Sequence, residues 1–162
     1  MARFKNFSQW KGRWPHWRAD GETYYVSFRH RRPLEPEEQQ ILFRALLIGT
    51  RRLEVVVLAV FPDRTECLGR PIADDEGYEA ELSDEIEKAK RRAAKAIVKR
   101  SGERFPPFGS ESFDRIMRDE MELQTYFDAI IERPEREGWT TDAEEYEWLF
   151  VADSPDSAPE RN

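Results

Sequence analysis

The chain has 162 residues, 39% of them hydrophobic and 36% charged, with a net charge of −7 and a single cysteine, Cys67. That is the size of one domain with a densely charged surface. It excludes an intrachain disulfide framework, and no apolar run approaches the roughly 18 residues of a membrane span.

The chain begins MARFKNFSQWKGRW, basic but without an apolar stretch, so no secretory leader is read and the protein is expected to be cytoplasmic. Residues 1–32 carry eight Lys/Arg against Asp20 and Glu22, a local balance of +6, and residues 33–162 a balance of −13. Residues 1–20 form a basic, aromatic-rich arm in which Trp10, Trp14 and Trp17 alternate with Lys5, Lys11, Arg13 and Arg18. Such an arm can stack on unpaired bases while its charges hold phosphates; it can equally cover a hydrophobic edge with its indoles.

The body of the domain is expected over residues 21–150. A strand is predicted over 23–28, dense in β-formers (Thr23, Tyr24, Tyr25, Val26, Phe28). Arg29, Arg31 and Arg32 place charge at its end. Pro36 and the acids Glu37 and Glu38 open a helix whose apolar residues Ile41, Leu42, Ala45, Leu46 and Ile48 keep helical spacing until Gly49. Residues 53–61 then form a near-continuous apolar run, the mark of a strand buried on both faces. Pro62-Asp63 ends it, and a second extended segment resumes at 65–68, with Arg64, Glu66 and Leu68 on one face and Thr65 and Cys67 on the other. Cys67 reads as an inert packed thiol.

A loop is expected over 69–77, and then a helix from Ser83, read as its N-cap, to about Arg100, closed by Ser101-Gly102. Ile86, Ala89, Ala93, Ala96 and Ile97 form its narrow apolar stripe. Residues 88–100 hold seven bases and no acid, with Lys88, Arg91, Arg92, Lys95 and Lys99 on its outer circumference. A solvated helix face accounts for such a run; so does a phosphate-binding surface. After a rigid Phe105-Pro106-Pro107-Phe108-Gly109 connection, a last long helix is predicted from Ser112 to about Glu132, stopped by Arg133-Pro134. An acidic loop, an aromatic anchor at 146–150 and a disordered tail over 151–162 complete the chain. The order β-α-β-β-α, then a helix, implies an α+β, ferredoxin-like or RRM-like antiparallel sheet with helices packed on one face.

In this order the chain resembles the single-tyrosine HUH transposases, and within them the REP-associated tyrosine transposases. His16-Trp17 followed by Gly21, Tyr24, Tyr25, Val26, Ser27, Phe28 and Arg29 is similar to that family's opening, and 55–63 to its central strand running into a Pro-Asp turn. The basic helix at 88–100 stands where the family has a Lys-rich helix. The most specific segment is ESFDRIMRDE at 111–120; Arg133-Pro134 stands in place of Asn-Pro, and Tyr146-Glu147-Trp148 in place of YPW. The resemblance covers about residues 16–150.

It implies a divalent-metal site, Mg or Mn, built from a His-hydrophobic-His pair directly after the Pro-Asp turn. The metal polarises a DNA phosphate that a tyrosine attacks, giving a covalent 5′-phosphotyrosine. Residues i and i+2 of a strand share a face and can close on one ion. Here those positions are Arg64 and Glu66. A guanidinium cannot ligate a cation, and one carboxylate is a poor site by itself. An altered site joining Asp63 to Glu66 has Arg64 beside it. The expectation is that Arg64 and Glu66 pair with each other or with neighbours. The tyrosine's place, near the start of the last helix, falls on Ser112 and Phe113; Tyr126 is 13 residues beyond Phe113, about 20 Å along a helix axis. Tyr24, Tyr25 and Tyr146 read as core or strand residues.

Three readings follow. The first is a transposase-like DNA-binding protein without catalysis, its metal positions lost and no cofactor needed, gripping hairpin or single-stranded DNA through Lys11, Arg13, Arg18, Arg29, Arg31, Arg32 and the α-helical bases Lys88, Arg91, Arg92, Lys95 and Lys99. The second is an active metal-dependent nuclease or transposase with substituted ligands. The third is a protein-binding module, favoured by the acidic balance of residues 33–162.

Overall fold

The apolar run of residues 53–61 lies in a strand covered on both sides, and the rest of the chain is arranged to cover it. The computed structural model describes residues 22–48 and 52–152. In chain order its elements are β1 (Tyr24–Arg29), α1 (Pro36–Ile48), β2 (Leu53–Val60), β3 (Arg64–Pro71), α2 (Leu82–Ser101), β4 (Phe113–Ile116), α3 (Glu120–Arg136), a short 3-10 turn (Ala143–Glu145) and β5 (Leu149–Val151). The sheet order is β4-β1-β3-β2-β5 and every neighbouring pair is antiparallel. β1 and β2 are both antiparallel to β3 and hence parallel to each other. The helices α1 and α2 are therefore the two crossovers of a ferredoxin-like βαββαβ core, extended by α3 and β5.

The two faces of the sheet carry separate cores, because successive strand residues point to opposite sides. On one face Val26, Phe28, Leu58, Val60 and Cys67 meet Leu42 and Leu46 of α1 and Ile86, Ala89, Ala93 and Ile97 of α2. On the other, Val57, Ala59 and Leu68 meet Phe127, Ile130 and Ile131 of α3, with Tyr146 and Leu149 closing the end. The α+β antiparallel class is the one expected. Two helices share a face as anticipated, and α3 covers the opposite one. This double cover is why Val57, Leu58, Ala59, Val60 and Phe61 are all fully buried. A bulge between Val55 and Val57 puts Val56 and Val57 in the same core, the one under α3. Burial pushes the Cys67 thiol up to about 12, so it is an inert core group. No described helix is long and apolar enough to cross a membrane.

Several boundaries differ from the sequence reading. The segment predicted to start a helix at Ser112 instead forms β4, pairing Phe113–Ile116 with Ser27–Tyr24 of β1. The helix starts at Asp119, whose side chain accepts the Glu122 N–H at 2.8 Å. It also runs through Pro134 to Arg136. A proline in the last turn sacrifices one hydrogen bond, and the Pro134 carbonyl still accepts from Trp139 N–H at 2.8 Å. Ser83 is not the N-cap of α2: Leu82 already opens the helix, Glu81 holds the cap position without a side-chain bond, and Leu82 is a core residue. The left-handed Gly102 (φ 74°) closes α2 as anticipated. β3 extends to Pro71, into the predicted loop. Val151, assigned to the tail, pairs with Val57, and Ala152 N–H donates to Val56 O at 2.8 Å.

The β2–β3 turn is held by His30. Its backbone N–H donates to Asp63 O at 2.8 Å. Its ring Nδ1 lies 2.8 Å from Pro62 O and its Nε2 2.9 Å from Thr65 Oγ1. A carbonyl only accepts, so Nδ1 carries the proton and Nε2 accepts from the threonine hydroxyl. Burial holds the ring's pKa below its ordinary value, with Lys90 acting in the same sense and Asp63 against it. The unfolded chain takes up a proton below about pH 6.5 that the folded ring resists. His30 thus contributes stability that is complete above that pH and is lost as pH falls toward the lowered folded value. The urea midpoint is expected to drop between pH 7 and pH 5, and His30→Gln to flatten that part of the profile; an unchanged slope in the variant would show that the ring is not the titrating group.

Candidate functional site

Strand alternation carries Glu66 to the α3 face of β3, where it is 3% exposed. Both of its oxygens are occupied. The Tyr25 hydroxyl donates to Oε1 at 2.9 Å and Arg133 Nε donates to Oε2 at 2.8 Å. Arg64 Nε stands 3.8 Å from Oε1, and the same guanidinium reaches Asp63 at 2.9 Å and Glu137. Glu137 is shared with Arg133 at 3.5 Å and accepts the Trp139 indole N–H at 3.1 Å. Arg64 thus pairs both with Glu66 and with neighbours. The group lines an open polar cleft of about 410 Å³, together with Ser27 and Arg29. Burial, reinforced by the Glu66 carboxylate, holds the Tyr25 phenol above its ordinary range.

This donor set does not fit a divalent cation. The one carboxylate at the paired strand positions is saturated by a phenol and a guanidinium, and a second guanidinium stands where a second ligand would be needed. Among the described residues no group of three or more His, Cys, Asp or Glu is gathered to hold a metal ion. A phenol with a raised pKa that already donates to a carboxylate is protonated at neutral pH.

The tyrosine geometry differs from the linear expectation. Since 113–116 is a strand and the chain turns before α3, Tyr126 does not lie 20 Å from this region. Its ring packs on Tyr25 with centroids 4.7 Å apart. Phe113 sits on the outer strand, 58% exposed and edge-on to Tyr25 at 6.3 Å. Ser112 accepts from Lys90 Nζ at 3.1 Å. Neither position lies on a helix. Tyr24 and Tyr146 are strand and core residues as read: Tyr24 OH reaches Glu22 at 3.4 Å, and buried Tyr146 donates to Val60 O at 3.1 Å. Tyr25 does more, as the hydrogen-bond donor to Glu66. Its signal was the register: Ser27 pairs with Glu66, which puts Tyr25 diagonal to it on the same face. Glu137 was hidden by the assumption that α3 ends at Pro134, and Arg133 was read only as part of that stop.

The basic residues divide into distinct sets. Lys88, Arg91, Arg92, Lys95 and Lys99 are exposed along α2, and their three- and four-residue spacing makes one stripe. The first four line a shallow hollow of about 340 Å³. Lys90, in the same run, is 2% exposed. Its ammonium donates to Glu111 O at 3.0 Å and sits 4.2 Å above the Phe28 ring, so it struts α2 against the entry to β4. Arg29 faces the Glu66 cleft. Arg32 grips Glu38, itself 1% exposed, with two 2.7 Å bonds, and also pairs with Glu103. That pairing holds the Glu38 carboxyl below its ordinary range. Arg31 turns toward α2, beside Arg91 and the 105–110 loop. Lys11, Arg13 and Arg18 lie outside the described residues.

The chain is similar in fold to a solved REP-associated tyrosine transposase bound to a REP hairpin: TM-score 0.62 and 18% identity, covering 92% of this chain and 97% of that one. No protein-family model matches the chain, and neither does any curated protein. The likeness shows a transposase-like fold over nearly the whole length.

Glu66→Gln leaves Arg64 and Arg133 without their shared buried charge and is expected to cost about 2–4 kcal/mol. Tyr25→Phe, which removes one bond to that carboxylate, should cost about 1–2 kcal/mol. Urea unfolding measures both, and a neutral Glu66→Gln would show that the network does not hold α3 to the sheet.

Proposed function

We propose that this chain is a DNA-binding protein on a transposase-like fold that no longer cleaves DNA and needs no metal ion. One contrast carries the reading. The strand pair after the Pro-Asp turn, Arg64 and Glu66, is closed into an ionic network with Arg133, Tyr25 and Glu137, while the α2 base stripe stays exposed. The solved transposase of the same fold is bound to a DNA hairpin, and we carry that ligand class, stem-loop or single-stranded DNA, to this chain. The stripe would hold backbone phosphates, with Arg31 and the bases of the N-terminal arm adding to it.

A second reading, a protein-binding module, draws support from the acidic balance of residues 33–162 and from the pairing of Arg32 and Arg100 with Glu38, Glu35 and Glu103. Salt dependence separates the two. Five phosphate contacts from the α2 stripe give a log Kd–log salt slope of magnitude about 4. Arg91→Ala with Lys95→Ala should weaken binding and lower that magnitude by about 2. Fluorescence anisotropy with a labelled stem-loop reads both, and chelator should leave affinity unchanged. No binding at low salt, or a slope indifferent to the double substitution, would count against the proposal. A covalent protein–DNA adduct in Mn²⁺ would establish a cleaving enzyme instead.

A further inference from the structure

We infer that the open cleft over Arg64 and Glu66 holds a free tetrahedral oxyanion, inorganic phosphate, between Arg29 and Arg133. The inference is independent of the DNA-binding reading above. It starts from the register of β1 on β3, which sets Arg29 directly opposite Arg64. Directly opposite residues of an antiparallel pair point to one side, and like charges placed so repel. Both guanidiniums line the cleft of about 410 Å³, and so does that of Arg133.

The three arginines differ in how their charge is met. Arg64 reaches Asp63 at 2.9 Å and also Glu137, and its Nε stands 3.8 Å from Glu66. Arg133 Nε donates to Glu66 at 2.8 Å and its Nη1 stands 3.5 Å from Glu137. The Arg133 Nη2 group has no partner among the described residues. Arg29 is exposed, and no described residue forms a hydrogen bond or ion pair with its guanidinium. The cleft wall thus carries three guanidiniums against two carboxylates, Glu66 and Glu137, and both carboxylates are already engaged. Asp63 meets Arg64 from the rim and does not line the cleft. The group left to be neutralised is Arg29.

The donors select the anion. A carboxylate is matched by the fork of a single guanidinium. Here the available N–H groups come from two elements, Arg29 on β1 and Arg133 on α3, and the Ser27 hydroxyl lies on the same face of β1 as Arg29. Donors that approach from several directions suit an anion with several charged oxygens, and arginine is the residue best fitted to phosphate. DNA also carries phosphate, but the exposed bases proposed to hold a strand line α2, whose core lies on the other face of the sheet. An anion free in solution meets no such obstacle. Arg29, expected from the sequence to grip DNA, is thereby given a different ligand.

The test titrates inorganic phosphate into the full-length chain by calorimetry, with chloride exchanged to keep ionic strength constant. Saturable binding of one phosphate is expected. At phosphate tenfold above its dissociation constant the thermal midpoint should rise by about 3–6 °C. Phosphate also stabilises proteins generally, by exclusion from their surface, so two variants serve as comparison. Arg29→Gln changes an exposed side chain and should weaken phosphate about tenfold or more. Arg44→Gln, which removes an exposed charge from α1, should leave the titration unchanged. Saturating phosphate should also leave stem-loop affinity unchanged. Absence of saturable binding, or equal weakening in the two variants, would show that Arg29 is a solvated arginine only and overturn the inference. Displacement of stem-loop DNA by phosphate in the wild type but not in Arg29→Gln would assign the cleft to the strand and overturn it as well. Phosphate binding with no stem-loop binding would uphold the anion site and defeat the DNA reading alone.

Discussion

The structure turns on a carboxylate that cannot be left alone. Glu66 sits in the middle strand of five, 3% exposed, and an unpaired charge at such a place costs several kcal/mol. Its position on the α3 face obliges that helix to supply a cation, which Arg133 does at 2.8 Å. Arg133 stands in the last turn of α3, which continues past Pro134 to Arg136. β1 supplies the second donor, Tyr25, and the Pro-Asp turn supplies Arg64. Three elements far apart in sequence are thus fixed relative to one another by one side chain, on a face that Arg115 of β4 also ties to α3 through Glu122 at 2.7 Å. Such a network adds little to stability compared with a packed apolar core. What it gives is register: a slip of β3 by one residue would bring Thr65, and not Glu66, beneath α3.

The same feature explains what could be read from sequence. The β2 strand, the α1 and α2 helices and the antiparallel α+β class were legible because apolar periodicity records which side of an element is covered. The expected pairing of Arg64 with Glu66 or with neighbours came from the resemblance, which pointed to positions 64 and 66, together with the strand alternation that puts both on one face. The strands β4 and β5 were not, for they are four and three residues long, too short to show a period. Phe113–Ile116 has its β character through pairing with β1, a tertiary effect that overrides the local helical pattern. With β4 read as helix, Tyr126 was placed a helix length away from Tyr25, when the turn before α3 brings the two rings into contact. The proline at 134 misled for a different reason. A proline is a reliable stop in mid-helix and a minor cost in the last turn.

Charge was legible in amount and not in use. Residues 88–100 are one uninterrupted basic run in sequence, yet α2 sorts them by angle. Lys90 points inward and is held by a carbonyl, a hydroxyl and the Phe28 ring. Arg100 meets Glu35 at 3.1 Å, and also Glu37. Helical geometry leaves Lys88, Arg91, Arg92, Lys95 and Lys99 on the exposed arc. The distinction matters because a buried ammonium with satisfied hydrogen bonds attracts phosphate far less than its formal charge implies, whereas exposed bases at three- and four-residue spacing act in concert.

The placement of these groups on opposite faces of the sheet bears on how a fold can keep binding while losing chemistry. The Arg64–Glu66 network lies under α3, and the base stripe lies on α2, with the full thickness of the sheet between them. Side chains that alternate across a strand belong to different cores, so replacing a pair at positions 64 and 66 perturbs the α3 core and leaves Thr65 and Cys67, which support the α2 side, in place. On the proposed reading, the cleft could exchange a metal site for an ion network without disturbing the surface that meets DNA. An enzyme whose binding and catalytic groups shared one face would have no such freedom, because the arginines that fill the cleft would also change the contacts made by the bound strand.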